Sequence, residues 1–295
     1  MSKINDLYSQ IIKNMGVPGL SIPLSAVKFY RKKEPLPDIV TAYIPSGLTL
    51  TSCQAVKQAS LGDCVCLTKE TIGCIAAAIT FGLVDENQKE PMLGSRVYTD
   101  IMKDQSKNKE KFTPPCPSDF TKGIVYACKA ADKPDFALFG SEDSGRYNSV
   151  DTAKKAIKDM MSIKPADTDA VFLYSKEFDE MDLEPDVIVL SVRPVELARL
   201  IQAYQYITGK RVNSSMGGLR VVNSDLIVRP YLTGQINIST YCLGARLIAQ
   251  YDADRLGIGM PFKDFQIIAQ GMEESRTGFP FHLYPGSDES VKEKI

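Results

Sequence analysis

The segment Asp186-Val187-Ile188-Val189-Leu190-Ser191-Val192 is the clearest strand in the chain, and Pro194 to Ile207 follows it at once as a helix with proline in its first turn. An apolar strand that hands straight to a helix calls for a sheet with helices laid against it. The expected fold class is therefore α/β, with a mixed α+β arrangement as its variant: a layered sheet with flanking helices. No Gly-x-Gly-x-x-Gly or Walker-type loop is present, so neither a Rossmann nor a P-loop nucleotide site is supported.

Other segments fit the same scheme. Ile4 to Met15 has helical spacing, and Ser25 to Tyr30 reads as a strand. Cys53 to Ser60 reads as a helix, Cys64 to Thr68 as a strand, and Thr71 to Gly82 as a second helix. Strands are expected at Gly123–Cys128 and Phe136–Phe139, and a helix at Val150–Ile163. Arg220 to Val228 carries strand-like apolar pairs. A helix is expected over Tyr241–Tyr251, a strand over Arg255–Gly259 and a helix over Pro261–Met272. The 295 residues are organised as one α/β domain over 1–285, with an insertion around 88–148 and a charged tail over 286–295.

A net charge of −1 gives no general pull toward nucleic acid or an anionic membrane. The longest apolar stretch, Ile72 to Leu83, is too short to span a bilayer, and no signal peptide opens the chain. A cytoplasmic location is expected. One histidine, His282, in an apolar-aromatic run, leaves little material for a triad or a His-rich metal site.

Seven cysteines remain to be explained. In a reducing compartment, and in odd number, they do not suggest a disulfide framework. Cys53, Cys74 and Cys242 each stand where a helix seems set to start, behind small or hydroxyl residues: Thr51-Ser52-Cys53, Ile72-Gly73-Cys74, Thr240-Tyr241-Cys242. A helix start favours negative charge, and the thiolate is the form that binds metal or attacks electrophiles. Three such starts facing one point could hold an iron–sulfur cluster, [4Fe-4S] being the expected type. The fourth ligand is Cys116, on the loop Pro114-Pro115-Cys116-Pro117, or Cys66, or the position stays open. Against this, the spacing matches no ferredoxin, zinc-ribbon or thioredoxin pattern, and free cysteine also packs as a small hydrophobe.

At these residues the chain resembles the archaeal and bacterial family called domain of unknown function 169. The resemblance is carried by Cys53-Gln54-Ala55-Val56-Lys57-Gln58-Ala59, Cys74 with Gly82-Leu83, and Pro185-Asp186-Val187-Ile188-Val189-Leu190 with Arg193-Pro194. Cys242-Leu243-Gly244-Ala245-Arg246 and Gly257-Ile258-Gly259-Met260-Pro261 complete it. It extends from about Pro23 to Met272 and implies that Cys53, Cys74 and Cys242 belong together, without implying a reaction. Gln88 to Asn148 is longer than the family core, and Cys64, Cys66, Cys116 and Cys128 match no family position.

Two arginines complete the candidate site as cofactor-binding residues. Arg246 lies one helical turn past Cys242, where it could neutralise a cluster or grip a carboxylate, or form a surface salt bridge. Arg193 follows the clearest strand, where α/β sheets often place ligands. The leading expectation is a cysteine-ligated iron–sulfur protein of anaerobic redox metabolism with a redox partner protein, a homo-oligomer being compatible. The rivals are a metal-free binding protein for a small anionic ligand or cofactor, and a cysteine-thiol enzyme.

Overall fold

The computed structural model describes residues 3–84 apart from 18 and 48, the four positions 155, 159, 163 and 165, and 167–275 apart from 219, 220, 243, 244, 247 and 248. In chain order the elements are α1 (Lys3–Met15), β1 (Leu24–Arg31), α2 (Asp38–Thr41), α3 (Ser52–Ser60), β2 (Cys64–Thr68) and α4 (Ile75–Thr80). After the long intervening segment come β3 (Thr168–Tyr174), β4 (Val187–Val192) and α5 (Pro194–Thr208). Next are α6 (Val221–Asn223), a π-helical segment (Ser224–Val228), α7 (Arg229–Thr233), β5 (Asn237–Thr240), β6 (Leu256–Pro261) and α8 (Phe262–Glu274).

The strands make one six-stranded sheet in the order β2-β3-β1-β4-β6-β5. Every pairing between them is antiparallel. The expected strand–helix unit exists as β4 and α5, but it leads to no parallel neighbour. The fold is thus the mixed α+β form of the expected class.

Side chains alternate along each strand and divide the core in two. Val27, Phe29, Val65, Leu67, Val171, Leu173, Val187 and Val189 face one side, with α3, α4 and the α6–π–α7 stretch. Ala26, Tyr30, Cys66, Phe172, Tyr174, Ile188, Leu190 and Met260 face the other, with α1, α5 and α8. On the first side the buried Ser25 hydroxyl donates to the carbonyl of Val56 at 2.6 Å, tying β1 to α3. On the second, a Cβ at Gly271 would stand 2.1 Å from the Ala203 carbonyl oxygen, so glycine lets α8 lie directly on α5.

The apolar pairs of 220–228 are not a strand. They belong to α6 and the π segment, where Val221, Val222, Leu226, Ile227 and Val228 are all fully buried. β-branched residues form a helix here because the sheet face absorbs them, so packing overrides propensity. Leu226 lies over β6, where a Cβ at Gly257 would meet its Cδ1 at 2.2 Å and one at Gly259 its carbonyl oxygen at 1.8 Å. The two glycines of Gly257-Ile258-Gly259 are therefore the seat of the π segment.

Other expectations shift in register. The helix expected from Thr71 begins at Ile75, because Ile72 is held in a parallel bridge with Leu50. Within Tyr241–Tyr251 the described helical residues are Ala245 and Arg246. Of the helix over Val150–Ile163, the described Lys155 and Asp159 are helical. The strands expected at Gly123–Cys128 and Phe136–Phe139, the 88–148 insertion and the 286–295 tail lie outside the described residues. Among the described residues no helix is long and apolar enough to cross a membrane.

Candidate functional site

The helix at Cys53 starts where the sequence dictates. Thr51 and Gln54 form a capping box: the Thr51 hydroxyl accepts from the Gln54 N–H at 3.2 Å, and the Gln54 side chain accepts from the Thr51 N–H at 3.0 Å. Cys53 is the second residue of α3, buried at 8% exposure. Cys74 is the N-cap residue of α4, and its carbonyl accepts from the Ala78 N–H at 2.9 Å. The two segments are joined just upstream. Leu50 N–H donates to Thr71 O at 2.9 Å, and Gly73 N–H donates to Leu50 O at 2.7 Å.

Cys242 comes from the far end of the chain, just past β5. Its carbonyl accepts from the Arg246 N–H at 3.1 Å, as at a helix start. The 241–252 loop returns to α3 through two tyrosines. Tyr241 and Tyr251 rings stand 4.1 Å apart between centroids, and the Tyr251 hydroxyl donates to the carbonyl of Cys53 at 3.3 Å. The Lys57 ammonium sits 5.5 Å from the centre of the Tyr251 ring. Burial, then the neighbouring Tyr241, Cys53 and Cys242, push the Tyr251 phenol well above its ordinary range. Burial does the same for Tyr241. Both phenols therefore stay protonated and can donate.

Cys53, Cys74 and Cys242 thus share one apolar cluster on one face of the sheet. Cys66 does not join them. It points to the opposite face among Phe172, Tyr174 and Phe178, fully buried, and burial pushes its thiol up to about 12. The period-two alternation of β2 enforces that separation, and it removes Cys66 as a companion ligand. Cys64 shares that opposite face, half-buried, and burial raises its thiol as well. Cys116, Cys128 and His282 lie outside the described residues.

The two arginines hold backbone and carboxylates. Arg246 Nε donates to the Tyr241 carbonyl at 3.1 Å and its NH1 to the Asp252 carbonyl at 2.9 Å, which clamps the loop bearing Cys242. Arg193 caps α5: its N–H donates to Glu196 at 2.8 Å, and its Nε donates to Asp254 at 3.1 Å. Hydrogen bonding to Arg193 holds the Asp254 carboxyl below its ordinary range. Tyr241 and Tyr251 were not singled out in the sequence. Their signal was the Tyr241-Cys242 pair, an aromatic donor directly beside a candidate thiol.

Among the described residues no three His, Cys, Asp or Glu side chains form a group that could hold a metal ion. The three cysteines are of the right donor type, but by themselves they do not make a metal centre here. Several buried polar atoms on this face lack a hydrogen bond, the Tyr241 hydroxyl among them. Asn223, in α6 against α3, buries both its amide nitrogen and its amide oxygen without a hydrogen bond. Such orphaned atoms cost about 1–3 kcal/mol each.

The model of the family described as domain of unknown function 169, an uncharacterised ArCR, matches residues 19–271. No curated protein and no solved structure matches the chain.

Proposed function

The chain belongs to the domain of unknown function 169 family, and on that premise we propose that its chemistry is carried by a thiol centre at Cys53 and Cys242, with Cys74 beside them. The observation that supports this reading is Tyr251: one buried ring binds the backbone of Cys53 and lies within electrostatic reach of both thiols. Core filling alone gives no reason for cysteines from opposite ends of the chain to share one buried phenol. The orphaned amide of Asn223 lies on the same face, in the helix that packs against α3.

Two loaded forms are compatible with this centre. In one, the thiols hold an iron–sulfur cluster together with a ligand from beyond the described residues, Cys116 being the candidate. In the other, they act as thiols without metal. Protein purified without oxygen distinguishes them. Iron and sulfide that are retained, then lost in Cys53→Ala and Cys242→Ala, support the cluster. A colourless protein in which Cys53 or Cys242 is alkylated faster than Cys66 supports metal-free thiol chemistry. A colourless protein whose thiols all stay inert until it unfolds overturns the thiol centre.

A further inference from the structure

Away from the thiol face, the C-terminal ends of α5 and α7 and the first turn of α8 enclose a cavity of about 630 Å³. That is within the size range of small-molecule sites. Lys210, Arg211 and Lys263 line it, and none of the three makes an ion pair with a described residue. Asp264 lines it too. It is 5% exposed and takes no hydrogen bond from a described residue. Burial raises its carboxyl above the ordinary range, offset in part by Lys263 and Lys210.

The walls are built in advance. Lys210 and Arg211 follow the left-handed cap of α5 at Gly209, φ 66°. Just beyond them the loop is pinned to β5 and the π segment. Ser214 Oγ accepts from the Ile238 N–H at 2.9 Å, Asn237 exchanges hydrogen bonds with Ser215, and the Gly217 N–H donates to Asp225 at 2.9 Å. The opposite wall is the cap of α7 at Gly234, φ 64°, where a Cβ would stand 3.7 Å from Lys263 Nζ. The backbone that carries the cations is therefore set before an anion arrives, so binding has only their side chains to order.

We infer that this cavity binds a small organic anion: its carboxylate or phosphate meets Lys210, Arg211 and Lys263, and a hydroxyl or amino group beside that charge donates to Asp264. Both features are required: three cations around one carboxylate leave net positive charge for an anion, and the partly neutralised Asp264 carboxyl, with no hydrogen bond from a described residue, is open to a donor on the ligand. The site is independent of the thiol centre.

The test is calorimetric titration of the full-length protein with inorganic phosphate, succinate and malate, in buffer free of other polyanions. Malate differs from succinate by one hydroxyl. Succinate and malate are expected to bind, malate more tightly by about tenfold, the worth of one hydrogen bond to a charged group. Arg211→Ala with Lys263→Ala removes exposed side chains only, so the fold is retained, and all anion binding should weaken by about tenfold or more. Asp264→Ala should abolish the preference for malate while succinate still binds. Tighter binding of phosphate than of either dicarboxylate would place the ligand among phosphate esters and keep the site. No binding at millimolar concentration, or binding untouched by the double substitution, overturns the site. Equal affinity for malate and succinate overturns the role of Asp264.

Discussion

The two faces of the sheet are built differently. One carries three regular helices of 13, 15 and 13 residues, α1, α5 and α8, packed on one another over an aromatic and aliphatic core. The other carries α3 of 9 residues, α4 of 6, and a helix interrupted by a π segment. Cysteine behaves differently on each. Cys66, on the regular face, is a core hydrophobe whose thiol is pushed up to about 12 by burial. Cys53 and Cys242, on the irregular face, sit at helix starts beside two buried phenols. π segments cluster at functional sites because they disturb the hydrogen-bond ladder at a cost that packing alone does not require. The regular face makes most of the core, and the irregular one carries the proposed thiol centre.

The contrast can be broken most severely at the seat of the π segment. Gly259→Val should destabilise the protein by more than about 4 kcal/mol, because the new Cβ would fall 1.8 Å from the Leu226 carbonyl oxygen. Thermal unfolding measures it; a loss below about 1 kcal/mol would show that the segment moves freely. Asp225→Ala comes next. That carboxylate accepts from Ser239 Oγ at 2.8 Å, Ser224 Oγ at 2.9 Å and the Gly217 N–H at 2.9 Å. Three orphaned donors should cost about 3 kcal/mol in chemical denaturation.

A gentler probe uses pH on the regular face. The Cys66 thiol, ordinarily 9.0, is raised to about 12 in the folded chain. Between those values the unfolded chain has lost the proton and the folded chain has kept it, so stability present below pH 9 is lost as pH rises toward 12. The slope from this group is about 1.4 kcal/mol per pH unit, and Cys66→Ala should make alkaline unfolding shallower by that amount. An unchanged slope would mean that the thiol is not sealed off. Smallest is Tyr251→Phe, which removes the hydrogen bond to the Cys53 carbonyl and should cost about 1 kcal/mol while raising the alkylation rate at Cys53. If neither changes, the phenol is not what organises the thiol centre.

The sequence made the regular face readable. β4, α5 and α8 appear within a residue or two of expectation, because each has one period and a clear boundary such as Pro194 or Pro261. β3 went unread: Ala170 to Tyr174 is apolar on both sides, so it lacks the alternation that marks a half-buried strand. β5 went unread for the opposite reason. Asn237 and Ser239 look like loop residues, yet they serve the π segment and its pinned loop. The helix starts at Cys53, Cys74 and Cys242 were legible from their small and hydroxyl neighbours. That they share a face with Tyr241 and Tyr251 was not, since it depends on a six-strand order no local pattern encodes. The cationic cavity was equally hidden, because Lys210, Arg211 and Lys263 are ordinary surface residues until three helix ends meet.

The strand order also sets a schedule. β1, Leu24–Arg31, has its two neighbours in Thr168–Tyr174 and Val187–Val192, and among the described residues β2 pairs with the former. Among the described residues, β1 and β2 gain sheet partners only once synthesis has passed the middle of the chain. Contacts of such long range make folding slow, and the early apolar segments must wait exposed at the ribosome for partners not yet made.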